Sequence, residues 1–336
     1  MTANVVTHSG AFHADDAMAF AILVAAHGEI TLVRTRDAEI IAAADVAFDV
    51  GNVFDPAARR FDHHMIDAPK RPDGTPYSSA GLIWREFGIQ AIRTFVRENI
   101  TDDEAEKIRD IVDQGIILEI DLIDNGIGKA GAGHVSDLID SMNPTFIERA
   151  SALKAGLSEA ENQEAHFRNA AKIADRLLAA ACGAALAEIK AVELVRIAAE
   201  TADDPRILVL EAGVPSGSAI FSLGLDQVLY VIRPGRDEWT CSAVPPEPDS
   251  FAQRLPLPER WAGLRDVELA EASGIQDAVF CHKARFVCGA RSKEGAIAMA
   301  QAAIRTGHSQ RRENPNMTSK GKTLAKLLAR DLVKAL

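Results

Sequence analysis

The sequence predicts an α/β protein: an N-terminal domain on a mostly parallel sheet, followed by a second, smaller α/β domain. Short β-prone segments alternate with helical ones through the first 51 residues. A long Ala-rich stretch separates them from a second group of β-prone segments after position 205, and 336 residues exceed one ordinary core but suit two. The expected boundaries are 1–142 for the first domain, 143–204 for a helical connector, 205–306 for the second domain and 307–336 for a basic tail.

The chain opens with a strand over Ala3–Val6, a polar turn from Thr7 to Asp16, and an apolar helix to His27 that Gly28 stops. A strand at Ile30–Arg34, a short helix at Asp37–Ala44 and a strand at Val46–Val50 complete a β-α-β-α-β series. Right-handed crossovers bring the carboxyl ends of parallel strands to one edge, so His8 and Asp49 are expected to meet there. Arg59–Phe61 returns as a strand and delivers Asp62-His63-His64 to the same edge. Three prolines and Gly74 make Asp67–Tyr77 a polar loop beside that cluster. Ser78 or Ser79 caps a helix through Phe87, another helix follows, and Thr101 caps a long third one ending in Asp121-Leu122-Ile123-Asp124-Asn125-Gly126. Acids at a helix C-terminus oppose the macrodipole, and a nearby cation would remove that conflict.

From Asn143 to about Glu200 the chain reads as helix, and Asp203-Asp204-Pro205 breaks it. Strands follow at Ile207–Leu210, Val228–Ile232, Trp239–Val244 and Phe286–Cys288, with an irregular excursion at Pro245–Trp261 and helices at Leu264–Ala272 and Lys293–Ile304. His282, Arg285, Arg291 and Lys293 bracket the last strand, and a helix N-terminus beside cations suits a phosphate or carboxylate. Solvated surface cations are the ordinary reading of such residues. Trp84 and Trp261 are expected to be core rather than base-stacking platforms.

With 47% hydrophobic and 25% charged residues the composition is that of a globular protein, and a net charge of −11 argues against blanket affinity for nucleic acid. The four cysteines lack a CxxC pair, which points to reduced thiols rather than a zinc ribbon or disulfide framework. The start of the chain has neither a basic leader nor an apolar run long enough to span a bilayer. A cytoplasmic location and no membrane partner are therefore expected; homodimerisation is left open.

Four of the nine histidines fall in two short clusters, each interleaved with acids. One such turn alone is ordinarily a solvated loop; two at the same sheet edge point to a metal site. Zinc favours three or four His and Cys ligands, whereas imidazoles mixed with several carboxylates suit harder ions such as Mn²⁺ or Mg²⁺. His8, His13, Asp15, Asp49, Asp62, His63, His64 and Asp121 exceed the needs of one ion. Two ions sharing a carboxylate stabilise displacement at phosphorus, and Asp49 is the candidate for that shared position.

Gly-Ala-Phe-His13-Ala-Asp15-Asp16-Ala, Phe48-Asp49-Val50-Gly51, Asp62-His63-His64, Ser78-Ser79-Ala80-Gly81-Leu82 and Asp121 to Gly126 occur in that order. Together with Trp261 to Asp266, His282 to Phe286 and Lys293 to Ala296, they resemble the melanocyte-proliferating-gene family within the DHH phosphoesterases, over roughly residues 1 to 305. The resemblance implies a DHH-like first domain and a metal-dependent hydrolase, with exonucleases on RNA among the family's members. It implies that His8, His13 and Asp49 hold one ion, that Asp15, Asp49, His63 and Asp121 hold the other, and that His64 meets substrate or leaving group. Asp124 lies one helical turn from Asp121 and remains an alternative. In the wider superfamily an acid stands where this chain has His13, with one residue fewer after His8, which bears on metal preference. The resemblance also implies that His282, Arg285, Arg291 and Lys293 bind substrate phosphates.

The resulting expectation is a metal-dependent phosphodiesterase, a 3′–5′ exonuclease on single-stranded RNA or short oligonucleotides, with two Mn²⁺ or Mg²⁺ ions. Its catalytic groups are expected to be Asp49, Asp62 and His64. The rival readings are a pyrophosphatase or small phosphoesterase and a non-enzymatic metal-binding regulatory protein.

Overall fold

Alternating strand and helix formers place the first five strands and two helices in order: β1 (Ala3–Thr7), α1 (Ala14–His27), β2 (Ile30–Arg34), α2 (Ala38–Ala43), β3 (Val46–Phe48), β4 (Phe54–Asp55) and β5 (Arg60–Phe61). These come from a computed structural model, which describes residues 3–129, 131, 133–248 and 250–313. The chain divides into two compact units, Met1–Ile189 and Lys190–Leu336, each with its own five-stranded sheet, and the α/β class holds for both.

In the first unit the strand order is β2-β1-β3-β5-β4, parallel except for the β4–β5 pair. Register sets Val6 beside Ala47 and Phe48 beside Phe61, so the residues that follow β1, β3 and β5 leave the sheet at one edge. Those residues are His8, Asp49 and Asp62. Helix α1 is buried on nearly every face because it packs along α3 (Ser79–Val96) and shares one core with Val5, Leu32 and Phe48 of the sheet, which explains its continuous apolar run.

The sequence suggests a helix ending at Phe87 and a second one before Thr101, but α3 is a single helix that runs through Gly88. Gly88 is a close-packing position: a Cβ there would lie 3.1 Å from the Trp84 ring, which is fully buried. The long helix expected from Thr101 is also interrupted. It comprises α4 (Asp102–Val112), a π-helical segment (Asp113–Ile117) and α5 (Leu118–Asp124), with Gly115 outside helical geometry. Helices α6 (Val135–Asp140) and α7 (Phe146–Lys154) follow.

Helix α8 (Glu159–Glu200) takes the place of the connector expected over 143–204. Its Phe167, Ala170, Ala174, Leu178 and Cys182 join the core of the first unit, whereas Ala191 and Val195 join a core of the second. The helix expected over this stretch thus contributes to one core through its first part and to another through its last.

The second unit contains β6 (Ile207–Val209), α9 (Gly217–Ser222), β7 (Tyr230–Pro234), β8 (Trp239–Ala243), α10 (Asp266–Ser273), β9 (Ala278–Cys281), β10 (Val287–Ala290) and α11 (Lys293–Glu313). Strand order is β6-β7-β8-β10-β9, with only β6–β7 parallel. Strand β9 is an addition to the expected elements; its four residues sit between polar turns and pair with β10. Trp261 is fully buried and all four cysteines are buried free thiols. Helix α11 extends into the stretch expected to be a basic tail, and residues 314–336 of that tail lie outside the described residues. No helix among the described residues is long and apolar enough to cross a membrane.

Candidate metal centre

Where β3 ends, Asp49 adopts a left-handed backbone with φ of 54°, a conformation Asp tolerates better than most residues. Its N–H is held by the Phe61 carbonyl at 3.2 Å, and the turn aims the carboxylate into the strand-end edge. Asp49 Oδ2 lies 3.2 Å from His8 Nε2, and Oδ1 lies 3.3 Å from His63 Nε2. One carboxylate therefore faces two imidazoles that come from different strands.

The opening turn brings His8, His13, Asp15 and Asp16 to this edge. Asp16 Oδ1 accepts the His13 N–H at 2.9 Å, closing the start of α1, while its Oδ2 stands 3.1 Å from His8 Nε2. The turn is stitched from far along the chain: Asn143 accepts the Phe12 N–H and donates to the Phe12 carbonyl. His63 Nε2 is 3.7 Å from Asp15, 3.3 Å from Asp49 and 3.3 Å from Asp124. Three donor groups result, His8/Asp16/Asp49, Asp49/His63/His64 and His13/Asp15/Asp124, each with its ligand atoms within 4.8 Å of one another.

Asp62 faces away from this convergence. Its Oδ2 accepts the Asn52 N–H, and its Oδ1 accepts the His63 and His64 N–H groups and lies 2.7 Å from His64 Nδ1. Asp62, expected among the catalytic groups, thus spends its carboxylate on the backbone of the turn and on orienting His64. With Nδ1–H donated to Asp62, the half-exposed His64 ring presents Nε2 outward.

The geometry also parts the two acids left open by the sequence. Asp124 reaches His63, whereas Asp121 lies behind the cluster, bound by Ser78 and Arg71. The sequence presents Asp16 only as a helix-start acid; the signal for its second role is the adjacency of two acids after His13, which on a helix project to different neighbours.

The buried charges are out of balance. Burial alone would lower the His8 imidazole, but hydrogen bonds and charges from Asp16 and Asp49 raise it to about 10. Burial pushes Asp15 well above the usual carboxylate range, aided by the charges of Asp49, Asp124 and Asp16. Burial would also raise Asp49, yet its hydrogen bonds to His63 and His8 hold it below that range. Asp124 is raised, by burial first. Both Asp15 oxygens are buried without a hydrogen-bond partner. Ligand atoms about 2.0–2.3 Å from a cation stand roughly 3 Å apart, so this donor set and its unmet carboxylate suit divalent ions.

The four cations expected to bind phosphates do not form one cluster. His282 and Arg285 sit on the turn before β10, Arg291 and Lys293 follow its end, and the four-residue strand between them spans about 14 Å. Lys293 is engaged by Glu211 and lies over the Trp239 ring. The His282 ring packs on Phe286.

The family model MYG1_exonuc, described as an uncharacterised protein family (UPF0160), matches residues 4–304. A human protein named MYG1 exonuclease is 32% identical over 327 residues, covering 89% of this chain and 85% of that one. A Schizosaccharomyces pombe MYG1 protein is also 32% identical, over 89% of this chain and 97% of its own. Among solved structures, RecJ from Thermus thermophilus in complex with Mg²⁺ aligns with 91% of this chain at 15% identity and a TM-score of 0.27. The alignment spans half of that protein's chain.

Proposed function

The chain belongs to the MYG1 exonuclease family, and on that premise we propose that it is a metal-dependent phosphodiester hydrolase that shortens single-stranded RNA or short oligonucleotides from an end. The observation that carries this reading is the Asp49 carboxylate, whose two oxygens face His8 and His63 at 3.2 and 3.3 Å. A carboxylate so placed can be shared by two ions, Mn²⁺ or Mg²⁺. Bound there, two divalent ions would supply an activated water and neutralise charge developing at phosphorus.

The residues divide accordingly. His8, Asp16 and Asp49 would hold one ion; Asp15, Asp49, His63 and Asp124 would hold the other, with His13 beside Asp15 and Asp124 rather than beside His8. Asp62 holds the Nδ1–H of His64, which leaves Nε2 outward: as the imidazolium, His64 would give its Nε2 proton to the leaving oxygen and return to the neutral Nδ1–H tautomer. His282 and Arg285 at one end of β10, and Arg291 and Lys293 at the other, would reach different phosphates of a strand rather than one. With net charge −11 such contacts must act locally and weaken with salt.

The test is metal content measured alongside turnover of a ten-nucleotide RNA, the matching DNA, a dinucleotide, pyrophosphate and a generic phosphodiester in Mn²⁺. Stepwise shortening of the RNA is expected. Cleavage of pyrophosphate alone would replace the nuclease with a small phosphoesterase, and no turnover anywhere would leave a metal-binding regulatory protein.

A further inference from the structure

Asp121 is fully buried, and four donors converge on its carboxylate. Ser78 gives its N–H at 2.8 Å and its hydroxyl at 2.7 Å to Oδ1; Arg71 brings Nε and Nη2, each 2.7 Å from Oδ2. Two carboxylate oxygens offer about four lone-pair sites, so none is left for an ion, and the guanidinium would repel one. Arg71 is itself only 6% exposed and extends to Asp113 with bonds of 2.5 and 2.9 Å. The position tolerates no more bulk: a Cβ on Gly81 would overlap the Asp121 carboxylate.

Three segments meet at this carboxylate, and two of them carry proposed ligands or their supports. Ser78 is the N-cap of α3, and the adjacent Ser79 hydroxyl stands between Asp49 Oδ1 at 3.3 Å and the Phe61 carbonyl at 3.2 Å, with one proton to share between them. One turn beyond Asp121 on α5, Asp124 reaches His63. The third segment is the loop carrying Arg71, which follows His63-His64 in the chain.

We propose that Asp121 is a positioning residue and not a metal ligand: clamped by Arg71 and Ser78, it locks α5 to the start of α3 and so sets Asp124 against Asp49 on either side of His63. The inference rests on the two-ion reading above. It assigns Arg71, which lies in a loop outside the metal-binding motifs, to the support of the centre. Supporting residues of metal ligands typically alter affinity or activity by about 10–100-fold, whereas loss of a ligand removes an ion.

The test compares full-length wild type with Asp121→Asn, Asp124→Asn, Arg71→Lys and Ser78→Ala, using Mn²⁺ stoichiometry and affinity by calorimetry and Mn²⁺ EPR, with kcat and KM measured separately. Asp121→Asn is expected to bind as many ions as wild type, one of them about tenfold more weakly, with kcat reduced and KM little changed. Asp124→Asn is expected to lose one ion. Arg71→Lys, which keeps the charge but not the fork, should show a milder form of the Asp121→Asn defect, and Ser78→Ala a similar one. Loss of an ion from Asp121→Asn with none lost from Asp124→Asn would overturn the proposal. If Asp121→Asn does not fold, wild-type metal affinity and kcat in both Arg71→Lys and Ser78→Ala would overturn it equally. Failure of the two-ion reading would appear separately, as fewer than two ions on the wild type.

Discussion

Asp121 on α5 and Asp15 on α1 are equally buried carboxylates, and the fold treats them in opposite ways. Around Asp121 every lone pair meets an N–H or O–H, and Arg71 supplies a matching charge. Around Asp15 neither oxygen has a hydrogen-bond partner, although the side chain is just as buried. A buried, unmet carboxylate is costly, so a structure that satisfies one acid fully and leaves its neighbour bare has separated a scaffold from a receptor. The first carboxylate gains rigidity from its partners; the second keeps two buried oxygens that a divalent cation would meet.

The sharpest way to break that comparison is to neutralise the acid between the two imidazoles. Asp49→Asn keeps the volume and removes the shared charge, and kcat is expected to fall by about 10³-fold or more while circular dichroism stays unchanged. Turnover near the wild-type value at saturating Mn²⁺ would take Asp49 out of the centre.

On the scaffold side the expected loss is one of stability. Arg71→Met leaves Asp121 and Asp113 facing each other without their cation, which should cost about 3–5 kcal/mol in urea unfolding. A loss below about 1 kcal/mol would mean that the pairing contributes little to rigidity.

The receptor side should reveal itself through pH. The His8 imidazole is raised from 6.5 to about 10 in the fold, so its contribution to metal-free stability is complete below pH 6.5 and is lost as pH rises toward 10. Asp15 is raised as well, and its protonated form likewise favours the fold only at lower pH. A metal ion must displace these protons, hence Mn²⁺ affinity should rise between about pH 6 and 8 by up to tenfold per unit for each proton released. Calorimetry in buffers of different ionisation enthalpy counts those protons, and an affinity that is flat with pH would contradict the assignment.

The smallest effect is expected at Asp140, an acid raised to about 6 by burial and near His13, with one oxygen lacking a partner. Asp140→Asn should stabilise the metal-free protein at about pH 8 by less than 1 kcal/mol and shift Mn²⁺ affinity only a few-fold. Destabilisation instead would place Asp140 among the satisfied acids.

Residues that leave a strand end are legible in the amino-acid sequence. The alternation of strand and helix formers marks β1 and β3 as parallel strands, the chain returns through Arg60–Phe61 beside β3, and parallel strands share an edge, so His8, Asp49 and the Asp62–His64 turn are bound to gather. The alternation of elements, the break near 205 and the buried tryptophans rest on the same local physics of period and breaker residues. Gly88 misleads because a helix-weakening glycine and a close-packing glycine look alike until the Trp84 ring is placed.

Tertiary packing, not periodicity, gives the two acids at the end of α5 different partners. Asp121 and Asp124 share a helix face at a spacing of three, so sequence periodicity ranks them equally. At Gly115 the backbone leaves helical geometry, so the face that α5 presents does not continue the pattern of α4. In the folded chain Asp121 meets Arg71 and Ser78, and Asp124 meets His63. The same holds for the four cations near the end of the chain: sequence proximity groups them, but an extended strand carries its two ends apart. Local composition determines which elements form and which residues stand at their ends; the rotation of a helix and the length of a strand, set by packing, determine which of those residues meet.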